Sequence, residues 1–196
     1  AVSFNTFAEK HFIKIATVGP MSGQYETFGK QMKAGAEMAV NEINANGGVN
    51  GAMLELIIGD DACEPKQAVK VAKYLADQDV KFVAGHFCSD SSITASSIYN
   101  KEGIIQISPA STNPALTDER IGPYTHRVCG REDQQGQVAG QYLYENYKDK
   151  NVALVHDETT YGKNLANAVK VAFESLGGDI SLFETYTYSA DKKYSA

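Results

Sequence analysis

The sequence predicts an α/β protein, a parallel sheet with helices packed on both faces. Short β-branched runs alternate with stretches of helical spacing along almost the whole chain. Strand–helix–strand order returns each strand parallel to the one before and lays the connecting helix over the sheet. Composition agrees, because 43% apolar and 21% charged residues in a chain of 196 supply a sizeable core beneath an ordinary solvated surface.

The elements follow in order. Residues 12–18 form a β-branched run that stops at Gly19-Pro20-Met21-Ser22-Gly23, a strand and its turn. A helix is expected over 27–45, where Met32, Ala36, Ala39, Val40 and Ile43 recur at helical spacing before Asn46-Gly47-Gly48 closes it. The next strand spans 54–58. Pro65 then opens a second helix, where its missing N–H costs nothing; Ala68, Val69, Val71, Ala72 and Leu75 are its apolar positions, and it ends near Asp79. A strand at 80–84, a helix at 91–100 and a strand at 104–107 complete this rhythm. Residues 108–127 read as loop, with Pro109, Pro114, Gly122 and Pro123. A helix over 133–147, a strand at 152–155, a helix over 161–176 ended by Gly177-Gly178, and a strand at 180–186 follow.

The Pro/Gly-rich stretch is the natural boundary between a first lobe at 12–127 and a second at 128–196. Two parallel strands are thin for an independent lobe. The chain looks cut short, with no closing element over 189–196.

Several function classes fall away. A pI near 5.2, a net charge of −6 and the lack of any Lys/Arg block argue against nucleic acid as a partner. No apolar run approaches the ~18 residues of a membrane span. The first residues lack the apolar stretch and basic start of an intact signal peptide, and fit the remainder of a processed leader. Cys63, Cys88 and Cys129 show no CxxC spacing, and His86-Phe87-Cys88 lacks further ligands, so no metal or cofactor is expected. The odd count leaves open one disulfide with a free thiol, or three free thiols. Cys63 and Cys88 follow the second and third strands, which are expected to be neighbours. A bridge between them would close a loop of about 25 residues, worth ~3 kcal/mol in the chain-entropy model, and would imply an oxidising compartment.

In an open parallel sheet the chemistry gathers at the carboxyl ends of the strands. Three ends stand out: Gly19-Pro20-Met21-Ser22-Gly23, Gly85-His86-Phe87-Cys88-Ser89 and Ser108-Pro109-Ala110-Ser111-Thr112. The last two are hydroxyl-rich and lead toward helix starts, where free N–H groups favour an anion. A carboxylate held by Ser89, Thr112 and backbone amides uses all of this; simple helix capping by the same residues is the competing account.

Enzyme constellations fail on inspection. The segment from Gly23 to Lys30 has five residues between its glycines, and Gln31 stands where a phosphate loop needs Ser or Thr. No GxSxG surrounds a serine. His86 and Ser89 share one strand end, which cannot aim both at a substrate and also supply the orienting acid, so His86 reads better as a buried strand-end residue. Asp60-Asp61 and His156-Asp157 read as turn residues. No catalytic residue is assigned. Tyr25, Phe28, Phe87 and Tyr161 lie at or just past strand ends, where they can line a pocket.

Six collinear blocks, VGPMSGQYETFG, GDDACEPKQAV, GHFCSDSS, SPASTNP, REDQQG and VHDETTYG, resemble the branched-chain amino acid-binding proteins, the Leu/Ile/Val periplasmic receptors of ABC importers. The resemblance runs from about residue 12 to 194. It implies a type I periplasmic-binding-protein fold whose two lobes close on a free amino acid, no enzyme activity, a periplasmic location and an ABC permease of the inner membrane as partner. It places the ligand carboxylate on Ser89, Thr112 and the backbone of Ala110. Phe28 and Tyr161 line the pocket, with Phe87 and Cys88 in the side-chain wall. Phe28 stands where many relatives have tyrosine, which removes one polar handle. The family disulfide maps onto Cys63–Cys88, leaving Cys129 free.

Family members are much longer, and their remainder supplies the acidic residue that pairs with the ligand ammonium. Weak or absent amino acid binding, and self-association through exposed sheet edges, are therefore also expected. A degenerate self-associating fragment and an amino acid or amide sensor domain are the competing functions.

Overall fold

The computed structural model describes residues 11–187. Its elements alternate as β1 (Phe12–Gly19), α1 (Glu26–Ala45), β2 (Met53–Asp60), α2 (Pro65–Asp77), β3 (Phe82–Gly85), α3 (Ser89–Glu102), β4 (Ile105–Ser108), α4 (Ala115–Asp118), β5 (Thr125–Arg127), α5 (Glu132–Tyr147), β6 (Val152–His156), α6 (Thr160–Ser175) and β7 (Ile180–Thr185). The expected leader remnant at 1–10 and the expected unclosed end at 189–196 lie outside the described residues.

Five strands form one parallel sheet in the order β2-β1-β3-β4-β5, and β6 and β7 form a second parallel pair. The order reverses direction at β1: the chain steps to β2 on one side, then crosses to β3 on the other, so the strands before Cys63 and Cys88 flank β1 rather than pair with each other as expected. Right-handed crossovers therefore put α1 on one face and α2 with α3 on the opposite face. Contacts follow this division, since α1 packs on β1 and β2 while α2 packs on α3.

The core lies under α2 and α3. Ala68, Val71, Ala72 and Leu75 of α2 meet Ala16 and Val18 of β1, Val83 of β3, and Ala95 and Tyr99 of α3. Of the α2 positions read from sequence, Ala68, Val71, Ala72 and Leu75 are buried and Val69 is half-buried. Two close approaches depend on glycine. A Cβ at Gly85 would stand 2.4 Å from the Val18 carbonyl oxygen, and one at Gly29 2.0 Å from that of Pro20.

The structure corrects the sequence reading between 108 and 127. The segment expected to be loop contains α4 and the strand β5, which pairs Gln106 with Thr125 and Ser108 with Arg127. Three residues carry no periodicity to read. Their position comes from tertiary bonds: the Arg127 guanidinium donates to the carbonyls of Ser111 and Asn113 at 2.8 and 2.7 Å and to Thr117 Oγ1 at 2.9 Å. Helix α3 also begins at Ser89, two residues before the expected start. Its inner face carries Ser89, Ser91, Ser92 and Ser96, all buried, so no apolar stripe marks it.

Beyond β5 the backbone enters α5, which packs against α6. Gly136 and Gly140 make that contact, because a Cβ at either would come within 2.3 Å of the Ala168 Cβ or 2.5 Å of the Ala172 Cβ. Among the described residues no helix is long and apolar enough to cross a membrane.

Candidate functional site

The loops after β1, β2, β3, β4 and β6 converge on one cavity of about 450 Å³. It sits at the point where strand order reverses, the position at which parallel sheets take ligands. Phe28, Phe87, Cys88, Ser89, Ala110, Thr112 and Tyr161 all line it. Sequence reasoning named each of them. Tyr25, Cys63, Asp90, Asp157 and Thr159 complete the lining.

One wall is apolar. Phe28, at the start of α1, stacks on Phe87 with ring centroids 4.8 Å apart and planes at 19°. Beside them lies the Cys63–Cys88 disulfide, with a Cα–Cα distance of 5.4 Å, and Cys129 is the free thiol. The disulfide loops are braced from below. Asp61 Oδ1 accepts the Cys63 N–H at 2.9 Å, and Asp61 Oδ2 lies 2.6 Å from His86 Nδ1. His86 Nε2 reaches the Tyr99 hydroxyl at 3.0 Å, and all three side chains are fully buried. Burial and the Asp61 carboxylate push the Tyr99 hydroxyl far above its ordinary pKa, so it stays protonated. His86 is thus a buried structural residue, as its sequence position implied.

The opposite end is polar. Ser89 opens α3, and its N-cap, Cys88, provides no side-chain cap, so the first N–H groups of this helix take no side-chain partner there. Ser89 Oγ accepts from the Asn113 N–H at 3.4 Å. Ala110 N–H makes a long bond to Ser108 Oγ, 3.3 Å. Thr112 Oγ1 donates to Glu132 Oε2 at 2.8 Å, and Asn113 Nδ2 donates to Glu132 Oε1 at 2.9 Å. Burial pushes the Glu132 carboxyl up, while those two hydrogen bonds pull the other way.

Asp60 and Asp61 organise turns. Asp60 accepts from the N–H groups of Met21 and Ala62 at 2.9 Å and from Ser22 Oγ at 2.6 Å. Asp157 accepts from Thr159, which caps α6 by accepting from the Gly162 N–H at 3.0 Å. His156 Nδ1 meets the Asp157 backbone carbonyl rather than its carboxylate, so the pair is not arranged as a base and its orienter. Burial, with the Asp157 carboxylate as a lesser cause, raises the Tyr25 hydroxyl. Among the described residues, no group of three or more His, Cys, Asp or Glu is gathered to hold a metal.

Asp90 and Glu132 were missed by sequence reasoning. Both are acids in the first turn of a helix, a position that ordinarily signals solvent and the helix dipole. Here Asp90 Oδ2 accepts the Thr160 N–H at 3.4 Å, joining α3 to α6, and Glu132 is 1% exposed.

Comparison with known proteins fits this geometry. Residues 13–195 match the family described as periplasmic binding protein. An amino acid binding protein of Pseudomonas aeruginosa is 48% identical over 89% of this chain and 47% of its own length. A leucine-, isoleucine-, valine-, threonine- and alanine-binding protein of the same organism is 45% identical over 94% of this chain and 49% of its own. The branched-chain amino acid transporter substrate binding protein of Streptococcus pneumoniae, solved with isoleucine, superposes with a TM-score of 0.79 at 26% identity, covering 92% of this chain and 51% of that one. The chain spans about half the length of the curated relatives it matches. With the matched region running through both sheets and the cavity between them, the chain belongs to the periplasmic binding protein family.

Proposed function

We propose that this chain is the ligand-binding part of a periplasmic receptor that captures free branched-chain or related amino acids for an ABC permease of the inner membrane. The observation that carries the reading is the polarity of the cavity. An uncapped helix N-terminus with Ser89, Ala110 and Thr112 lies at one end, and Phe28, Phe87 and the disulfide form the apolar wall. The first suits a carboxylate; the second suits an aliphatic side chain. Tyr161 approaches from α6, which follows β6 of the second sheet, so residues 12–127 and 128–196 act as lobes that close on the ligand.

Asp90 and Asp157 line the same cavity. Their carboxylates support a place for the ligand ammonium, and the expectation of weak binding by a chain about half its relatives' length is put to the titration below. The relatives named for amino acid binding support a carrier rather than an enzyme. The disulfide supports an oxidising compartment such as the periplasm.

Isothermal titration with leucine, isoleucine and valine, with acetamide as control, tests the proposal. Saturable heat with the amino acids and none with acetamide is the expected result. No heat with any of them overturns it.

A further inference from the structure

We infer that Glu132 is a positioning residue whose protonation decides which way the Thr112 hydroxyl points, and thereby how well the polar end of the cavity holds a carboxylate. Only the last clause rests on the amino acid reading; the coupling of the two side chains stands on the geometry alone.

Glu132 opens α5, just past the crossover between the sheets, yet it is tied to the first unit three times. Its carboxylate accepts from Thr112 Oγ1 at 2.8 Å and from Asn113 Nδ2 at 2.9 Å, and its own N–H donates to the Thr112 carbonyl at 3.0 Å. A threonine hydroxyl has one proton to give. While Glu132 is ionised that proton is committed to it, and Thr112 Oγ1 can offer the cavity only lone pairs. A ligand carboxylate there would meet an acceptor, with a second negative charge one hydroxyl away. When Glu132 is protonated it can donate to Thr112 Oγ1, which frees the threonine proton to turn into the cavity.

The charges around the pair are defined. Arg127, at the end of β5, favours the ionised form, and Asp133 on the same helix opposes it. Arg131 is occupied by Asp118 and Asp133, and the Cys129 thiol faces the Ser111 carbonyl. Burial raises the Glu132 carboxyl above its ordinary pKa, against the pull of the Thr112 and Asn113 hydrogen bonds and of Arg127.

Two measurements on the full chain test this. The first needs no ligand: a carboxyl-carbon NMR titration, with the Glu132 signal identified by its loss in Glu132→Gln. Thr112→Val removes the donor to the ionised form, so the Glu132 midpoint is expected to rise. Thr112→Ala serves the same purpose should the valine variant not fold, and Thr112→Ser is expected to restore the original midpoint. Coincident midpoints with and without the hydroxyl overturn the inference.

The second is leucine affinity by calorimetry between about pH 5 and pH 8, where leucine stays zwitterionic. Affinity is expected to strengthen as pH falls through the Glu132 midpoint, by at most about tenfold per pH unit for one linked proton. Glu132→Gln is expected to flatten the profile. A profile unchanged by that variant overturns the inference and leaves amino acid binding intact. Coupled midpoints with no leucine uptake at any pH uphold the coupling and overturn the amino acid reading instead.

Discussion

The two sheets of this chain are stabilised in different ways. The five-stranded sheet buries a continuous core between β1, β3, α2 and α3, in which Ala16, Val18, Leu75 and Val83 are fully shielded, and it carries the Asp61–His86–Tyr99 chain beside that core. Among the described residues the β6–β7 pair has no comparable interior. Val152, Val169 and Phe173 are its buried apolar residues, while Val155 and Val171 are 60% and 67% exposed. Its order comes from helix on helix, where Gly136 and Gly140 let α5 lie against α6 at backbone distance. A sheet of five strands can support a cavity from below; a pair can only present one wall of it.

Substitutions can break this contrast, and their expected effects fall in a definite order. Asp61→Ala should cost the most, about 3–5 kcal/mol, because it leaves His86 buried without its partner and the Cys63 N–H without its acceptor. Denaturant unfolding would show it, and a loss under 1 kcal/mol on the order of a surface change would mean the buried chain is not structural.

Reducing the Cys63–Cys88 bond, which joins residues 25 apart in sequence, should remove about 3 kcal/mol. The loss should fall on the first sheet, and hydrogen exchange at β1–β3 with and without reductant locates it. Gly140→Val should cost about 1–3 kcal/mol by forcing α5 off α6. Accelerated exchange confined to residues of α5 and α6 is the expected pattern; equal acceleration in α2 would show that the two units unfold as one. Val155→Ala should stay within about 0.5 kcal/mol, since the side chain is already in water. A larger loss would reveal something packed on β6 in solution, and light scattering across a concentration series would show whether a second copy covers it.

Much of this was legible in the sequence, for reasons that differ by element. Helix α2 announced itself through Pro65 and an apolar spacing that is buried as read at every position but Val69. Helix α1 had equally clear spacing, yet of Met32, Ala36, Ala39, Val40 and Ile43 only Val40 is buried, so periodicity gave the helix and not its depth. Strand β5 left no local trace, because pairing with β4 and the Arg127 bonds place it. At the site, strand-end logic pointed to Ser89, Thr112 and the aromatics Phe28, Phe87 and Tyr161, and the resemblance added Ala110 and Cys88. Glu132 did not stand out. It was part of a quoted block, but a glutamate at a helix start looks solvated until the fold shows Thr112 and Asn113 closing over it.

The passage between the sheets has a mechanical meaning. Among the described residues the backbone crosses once, between β5 and α5. A single covalent link transmits no torque, so on its own it leaves the second sheet free to swivel in every direction. The pins at Thr112–Glu132 beside the crossover and at Asp90–Thr160 across the mouth remove most of that freedom. Loss of the outer pin alone would leave rotation about the Thr112–Glu132 contact, with the Arg131–Asp118 ion pair beside it, as the motion still allowed.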